Sequence, residues 1–371
     1  MTITEIDIIP YRIPYRSTHR IATLTLSALD NTVIRIRTDQ GVEGVGETVS
    51  EGKWNSTVRE AHTAVLRHYL APALLGLDPL DLAGAWQRMD CVVNGHLSAK
   101  AGIDVALHDL VGKVLGIPVW RLLGGALRRE IPVEGPGFGI GFMEPEAAAN
   151  LAGTAASHGC GEIEIKCGHP SGWRYDLKVV EAVHKACGPT VSLKVDVTEA
   201  YNYKTALNVL PRMFEIGVEW VEQPLPRHAL LDTARLRQLV PVGVMLEESV
   251  GHPADVLRIA QIGAADAIHL KLPMLGGFTM ARRFAAVCEA GGLGIQAGSS
   301  TPSGIGLAAV HQFAAVTPNL VRGCHGSPLA RAVDDLLAEP VDAFAPVVSI
   351  TEAPGLGIQV DWAKVERYAV Q

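Results

Sequence analysis

EIEIKCG (residues 162–168) and VSLKVDV (residues 191–197) are the two stretches from which the fold can be predicted. In the first, Ile163 and Ile165 alternate with Glu164 and Lys166, which is the two-residue period of a β-strand. Between the two stretches lies DLKVVEAVHKACG (176–188), whose apolar residues recur at helical spacing. A strand, a helix and a second strand in this order predict parallel strands joined by a right-handed crossover.

The same alternation of strands and helices continues along most of the chain. Further strand-like stretches are IPVEGPGFG (131–139), VEWVEQPL (218–225), VGVMLEES (242–249), AADAIHLKL (264–272), GLGIQAGS (292–299) and NLVRGC (319–324). About eight such strands in roughly 200 residues predict a closed β/α barrel, and a doubly wound open sheet is the alternative.

Three regions follow from these patterns. Residues 1–125 are β-rich and then helical, which predicts an α+β domain, and residues 126–327 contain the barrel pattern. Residues 328–371 have no further β/α unit, and VVSITEAPGLGIQV (347–360) predicts strands that return to the N-terminal domain.

Composition excludes several classes of protein. The chain has 371 residues, of which 48% are hydrophobic, and its net charge of −7 argues against nucleic-acid binding. No apolar run reaches the roughly 18 residues of a membrane-spanning helix, and no signal peptide is evident. The six cysteines have no metal-binding spacing, which indicates reduced thiols. We therefore expect a cytoplasmic globular protein without nucleic-acid or membrane partners.

Charged residues follow five of the predicted strands. Lys166, Asp196, Glu222, Glu248 and Lys271 occur at intervals of 30, 26, 26 and 23 residues, about the length of one β/α unit. In a β/α barrel, strand ends meet at the carboxyl face, where reactive groups lie. Three converging carboxylates predict a hard divalent cation, Mg²⁺ before Mn²⁺. In the alternative, each acid is paired with a helix N-terminus or an arginine.

The two lysines, Lys166 and Lys271, are separated by three strands and could lie on opposite sides of a ligand. A desolvated lysine beside a metal can lose its proton and act as a base. In the alternative, both lysines only pair with neighbouring acids.

With these residues identified, the chain resembles the enolase superfamily, in the branch of mandelate racemase and muconate lactonizing enzymes. The resemblance spans nearly the whole chain. It is carried by GVEGVGE (41–47), GIDVALHDLVGKVLGIPVWRLLGG (102–125), DVTEAY (196–201), VEQPL (221–225), EES (247–249), ADAIHLKLPMLGG (265–277) and GSSTPSGIGLAAVHQFAA (298–315). It implies an α+β capping domain on a modified (β/α)8 barrel of the type (β/α)7β.

The resemblance also implies a reaction. Asp196, Glu222 and Glu248 would bind Mg²⁺, which holds the substrate carboxylate and stabilises an enolate after removal of the α-proton. Lys166 matches the second lysine of the K-x-K motif, Lys271 matches the sixth-strand lysine, and the pair is similar to the muconate lactonizing subgroup. We expect a racemase or epimerase of an amino-acid derivative. The alternatives are a muconate-type cycloisomerase, a dehydratase of a hydroxy acid and a degenerate barrel that binds a ligand without turnover.

The chain departs from the family pattern at several positions. Glu164 stands where K-x-K has its first lysine, and an anion on the same face should raise the pKa of Lys166. Thr198 replaces an amide near the metal, and residues 300–303 (STPS) lack the usual seventh-strand glutamate. No D-x-D occurs around residues 322–326, which argues against dipeptide substrates.

Substrate contacts are expected from two cap loops, residues 15–26 and 51–55, and from the barrel mouth. Arg16 or Arg20 could receive a second anionic group. The predicted contacts are Tyr15, Arg16, His19, Arg20, Trp54, Glu164, Thr198, Gln296, Ser299, Thr301 and His325. The expected partner is a small-molecule carboxylate, and analogy with the family predicts a homo-oligomer.

Overall fold

The computed structural model describes residues 1–52 and 58–371. The N-terminal region begins with an antiparallel sheet of β1 (Ile3–Arg20), β2 (Thr25–Thr38) and β3 (Glu43–Thr48). The predicted cap loop at 15–26 is therefore mostly a continuation of the β1–β2 hairpin, because His19 and Arg20 still pair with Leu26 and Thr25.

Helices cover one face of this sheet. They are α1 (Arg59–Val65), a π-helical turn (Leu66–Leu70), α2 (Ala71–Leu74), α3 (Leu82–Val92), α4 (Leu97–Leu115) and α5 (Val119–Leu122). Helix α4 packs directly on β3, since a Cβ atom on Gly46 would lie 2.0 Å from the carbonyl oxygen of Gly102. Gly116 ends α4 in the left-handed conformation, with φ of 68°.

Seven parallel strands form the barrel sheet, and they neighbour one another in chain order. They are β5 (Gly135–Ile140), β6 (Glu162–Lys166), β7 (Ser192–Asp196), β8 (Val218–Glu222), β9 (Gly243–Leu246), β10 (Ala267–Lys271) and β11 (Gly294–Gly298). The helices that follow the strands are α6 (Pro145–Ser157), α7 (Trp173–Cys187), α8 (Tyr203–Ile216), α9 (Leu230–Arg237), α10 (Pro253–Ile262), α11 (Gly277–Ala290) and α12 (Gly304–Val316).

Residues 319–325 complete the ring through isolated bridges. Leu320 pairs with Ile295 of β11, and Cys324 pairs with Val133, just before β5. The predicted stretch NLVRGC therefore closes the barrel between its first and last strands. The α/β prediction, a capped barrel, is confirmed, and the open-sheet alternative is wrong.

The C-terminal segment contacts both regions. Its strand β12 (Val347–Ser349) pairs with β4 (Glu130–Pro132) and not with the N-terminal sheet, which differs from the strand return predicted from the sequence. Further along, the backbone of Gly355 hydrogen-bonds next to α5, and helix α13 (Trp362–Tyr368) leads to a bridge between Ala369 and Tyr11. The three-part division of the chain stays a prediction.

Among the described helices, none combines the length and apolarity needed to cross a membrane. The cytoplasmic location and the homo-oligomer stay predictions.

Candidate active site

The register of the parallel strands aligns charged residues along the inside of the barrel. Lys166 pairs with Asp196, Asp196 with Glu222, and Glu222 with Met245. Residues in register on parallel strands point to the same face, and the face alternates along each strand. The next inward position after Met245 is therefore Glu247.

Backbone strain occurs where these strands end. Thr198, Glu199, Gln223 and Ser300 have φ values of 47°, 66°, 37° and 62°, in the left-handed region that disfavours residues other than glycine. Such conformations persist when surrounding contacts hold them, and they cluster at functional sites. Thr198 shows the benefit, because its backbone N–H and its hydroxyl both donate to Oδ1 of Asp196, at 2.8 and 3.0 Å.

Lys166 lies between two carboxylates. Its Nζ is ion-paired with Glu164 and lies 2.7 Å from Oδ2 of Asp196. Burial by itself would lower the pKa of Lys166, but Asp196 and Glu164 hold it well above its usual range. The same-face effect expected for Glu164 is therefore present in the metal-free protein.

Lys194 is a second buried cation, on the neighbouring strand and one inward position deeper than Asp196. Its Nζ lies 2.7 Å from Glu164, 2.7 Å from Glu222 and 3.1 Å from Glu134. Burial would raise the pKa of Glu164, but Lys166 and Lys194 hold it well below its usual range. Glu164 thus stays ionised because it lies between two lysines.

The remaining inward groups lie on β9 and β10. Nδ1 of His269 lies 2.7 Å from Oε1 of Glu222, and Nζ of Lys271 lies 2.7 Å from Oε2 of Glu247. Burial raises the pKa of Glu247 to about 7, although Lys271 opposes the shift. Burial lowers the pKa of His269 to about 3, which keeps its imidazole neutral.

Two groups of side chains could hold a cation, each with one ligand atom per residue and all atoms within 4.8 Å. One is Glu164, Asp196 and Glu222; the other is Glu222, Glu247 and His269. Glu222 belongs to both, so carboxylate oxygens from β7, β8 and the end of β9 converge. An oxygen-rich donor set of this kind fits a hard divalent cation.

Glu248, the predicted third ligand, is in neither group, although within the described ranges both of its carboxylate oxygens are buried and lack a hydrogen-bond partner. Strand parity explains the difference, because Glu247 has the inward parity and Glu248 does not. Glu248 as a ligand stays a prediction, and Glu247 is the better-placed acid.

Several predicted substrate contacts meet on the Lys166 side of the mouth. Nε2 of His325 lies 3.3 Å from Oε1 of Glu164, and the ring of His325 packs edge-on against His269. His19 is buried, and Glu164, Lys166 and His325 all influence its pKa, which burial lowers. The hydroxyl of Tyr15 is also buried.

The other predicted contacts are placed differently. Both ends of the Gln296 amide bond within the barrel, where Oε1 accepts from Lys194 at 2.7 Å and Nε2 donates to Glu134 at 3.1 Å. Ser299 donates to the carbonyl oxygens of Ser300 and Gly326 at 3.3 Å. Thr301 donates to Glu51.

Arg16 and Arg20, the predicted receptors of a second anion, are both exposed. Trp54 lies outside the described residues. The substrate-contact assignments all stay predictions.

Some residues of the site were missed at the sequence level: Glu134, Lys194, Glu247, His269, Arg322 and Arg331. For Lys194 a signal existed, because it has the same parity as Asp196 in VSLKVDV. For Glu247 none did, since the uniformly apolar VGVML before it hides which face each residue occupies.

Comparison with known proteins defines the class of protein. The family model described as mandelate racemase / muconate lactonizing enzyme, N-terminal domain, matches residues 3–124. The model described as enolase C-terminal domain-like matches residues 146–364. The chain belongs to the mandelate racemase/muconate lactonizing enzyme branch of the enolase superfamily and is an enzyme of this superfamily.

Its relatives catalyse more than one reaction. Muconate cycloisomerase 1 of Rhodococcus opacus is 32% identical over 99% of this chain and 98% of its own length. The N-succinyl-L-Arg/Lys racemase of Bacillus cereus is 28% identical over 97% of this chain and 96% of its own. The crystal structure of 2-chloromuconate cycloisomerase from Rhodococcus opacus covers both chains completely, with a TM-score of 0.94 and 29% identity.

Proposed function

We propose that the protein catalyses proton transfer at the carbon α to a carboxylate, as a Mg²⁺-dependent racemase or epimerase of an amino-acid derivative. One observation carries the proposal. Lys166 and Lys271 reach the same group of carboxylates from β6 and β10, with three strands between them. Two bases that approach from different sides suit removal of a proton from one face and its return to the other.

Asp196, Glu222 and Glu247 are the residues that would hold the cation. When bound, a divalent cation would bind the substrate carboxylate and neutralise the charge that develops as the α-proton leaves. His269 and Lys194 hold Glu222 from two sides, and Thr198 holds Asp196, so the carboxylates are oriented before substrate arrives.

Each lysine then acts at its Nζ atom. One lysine takes the α-proton from its side of the substrate, and the other, carrying a proton, delivers it to the opposite side. Burial of both Nζ atoms excludes water, which would otherwise compete for the proton.

Cycloisomerisation is the second candidate. It is favoured by muconate and chloromuconate cycloisomerases among the relatives, several of them about as similar to this chain as the racemase. In that reaction Lys166 would be the main acid/base.

The experiment is hydrogen exchange in D₂O with Mg²⁺, followed by NMR on N-acyl amino acids, proline derivatives, betaines, muconates and β-hydroxy acids. For a racemase we expect exchange of the α-proton together with loss of optical activity. K166A and K271A should each lower racemisation by about 10³-fold or more, whereas K178A, at an exposed lysine of α7, should not.

The variants also separate the two candidates. A cycloisomerase would consume a muconate and depend on Lys166 more than on Lys271. Unchanged racemisation in both K166A and K271A would refute the proposed roles of the lysines.

A further inference from the structure

Arg331 is a cation at the barrel mouth that the proposed reaction does not use. It follows a short 3-10 turn, Pro328–Ala330. Its NH2 group donates to the carbonyl oxygen of Gly139 at 2.8 Å, next to the carboxyl end of β5. Its Nε atom is buried and has no hydrogen-bond partner within residues 1–52 and 58–371.

Arg331 also lacks a carboxylate. No salt bridge in the described part of the chain includes it. The other cations around the barrel interior each pair with at least one acid: Lys166, Lys194, Lys271 and Arg322. Burial lowers the pKa of Arg331, and the group that opposes this shift is the Tyr15 phenol. A desolvated cation without a counter-ion is unfavourable, and an anionic ligand would relieve this cost.

Tyr15 is a second donor beside it. Its hydroxyl is buried and has no hydrogen-bond partner among the residues that the structure describes. Two contacts hold its strand against the Arg331 segment, a bridge between Tyr15 and Ala332 and a hydrogen bond of 2.7 Å from Arg16 N to Arg331 O.

His19 connects this pair to the reacting centre. It is buried, and after burial the positive charges of Arg331 and Lys166 are the next largest causes that lower its pKa. Glu164 and His325 act on it as well. His19 therefore lies within electrostatic range of both the Arg331 side chain and the proposed base.

We propose that Arg331 and Tyr15, with His19 beside them, bind a second carboxylate of the substrate, so that the substrate class is dicarboxylates. The inference rests on the proposed function, in which the first carboxylate lies at the cation held by Asp196, Glu222 and Glu247. It replaces Arg16 and Arg20 as receptors for a second anion, because their side chains are exposed.

The test compares inhibitor binding, which requires no turnover. Isothermal calorimetry on the Mg²⁺-loaded protein would use two matched pairs of equal chain length, glutarate with pentanoate and adipate with hexanoate. In the wild type we expect at least one dicarboxylate to bind about tenfold or more tightly than its monocarboxylate partner, as one charge-assisted bidentate contact provides. R331M, which keeps side-chain bulk, should abolish this preference and leave monocarboxylate binding unchanged. Y15F should reduce it.

Control variants keep the result interpretable. R12M removes an exposed arginine from the same strand and should retain the preference. Should R331M not fold, R331K preserves the charge without the planar fork, and it should lower the preference only in part.

A wild type without the preference, or a preference that survives in R331M or is removed by R20M, would overturn the proposal. Failure of the proposed reaction is separate. In that case α-proton exchange would be absent while the dicarboxylate preference and its loss in R331M remained.

Discussion

Glu247 and Glu248 are neighbouring acids whose environments differ. Glu247 pairs with Lys271 and shares a cluster of ligand atoms with Glu222 and His269. Both carboxylate oxygens of Glu248 are buried, and burial together with the negative charge of Glu247 raises its pKa well above the usual range. Chemical type cannot separate the two residues, but position can.

Replacing each acid by its amide tests this difference. Because a lost ligand should cost at least as much as a lost outer-sphere partner, we expect E247Q to weaken Mg²⁺ binding by about 100-fold or more. E248Q keeps the inward carboxylates and should change the affinity much less. Calorimetric titration of the metal-free proteins with Mg²⁺ measures both, and a larger loss in E248Q would restore Glu248 as the ligand.

Metal binding should also depend on pH. The pKa of Glu247 is raised to about 7 by burial, so in the metal-free protein its carboxyl is protonated below that pH. A cation must then displace the proton, and the affinity should fall by up to about tenfold per pH unit between pH 7 and 5. Titrations at pH 8, 7 and 6, in buffers of different ionisation enthalpy, would reveal proton release. Equal affinity at pH 8 and 6 would contradict the prediction.

At the scale of elements, β6 and β7 explain how a glutamate is tolerated at the first K-x-K position. Glu164 and Lys194 are partners in the β6–β7 register, so the anion of one strand faces the cation of the next. Lys194 also neutralises Glu134 and Glu222. The lower part of the barrel is thus held by an ionic network, whose members depend strongly on one another.

Removing the central cation should therefore be costly. K194M keeps the chain length but leaves three carboxylates with less compensation, and we expect the free energy of unfolding to fall by about 3–5 kcal/mol. Urea denaturation measures this loss. In the double variant K194M/E164Q one unpaired anion is gone, so part of the loss should be recovered. A loss below about 1 kcal/mol in K194M would show that the network contributes little.

At the scale of the whole molecule, Glu47 joins the N-terminal sheet to the barrel. Its carboxylate accepts from the backbone N–H groups of Ser303 and Gly306, at the start of α12, and from the Ser303 hydroxyl. Asn31 and Tyr11 donate to it from the sheet. An anion at a helix N-terminus is favourable, and here it comes from the other domain.

We expect E47Q to destabilise the protein by about 2–3 kcal/mol, because an amide NH₂ would face donors that now meet a carboxylate oxygen. E43Q is the matched control. Glu43 lies on the same strand but forms only a partly exposed salt bridge with Arg35, so its loss should stay below about 1 kcal/mol. Thermal and urea unfolding of the three proteins would decide, and equal stability of E47Q and wild type would contradict the structural role.

The sequence by itself determined the capped barrel, because strand and helix periods and the spacing of Lys166, Asp196, Glu222 and Lys271 are local patterns. Only the tertiary structure decided which adjacent acid faces inward, since apolar β9 carries no alternation and its parity follows from pairing with β8. The pairing of Glu164 with Lys194 and the place of Arg331 beside Tyr15 likewise depend on chain segments that meet only in the folded protein. Such contacts arise from sheet register and barrel closure, and neither is encoded within a single element.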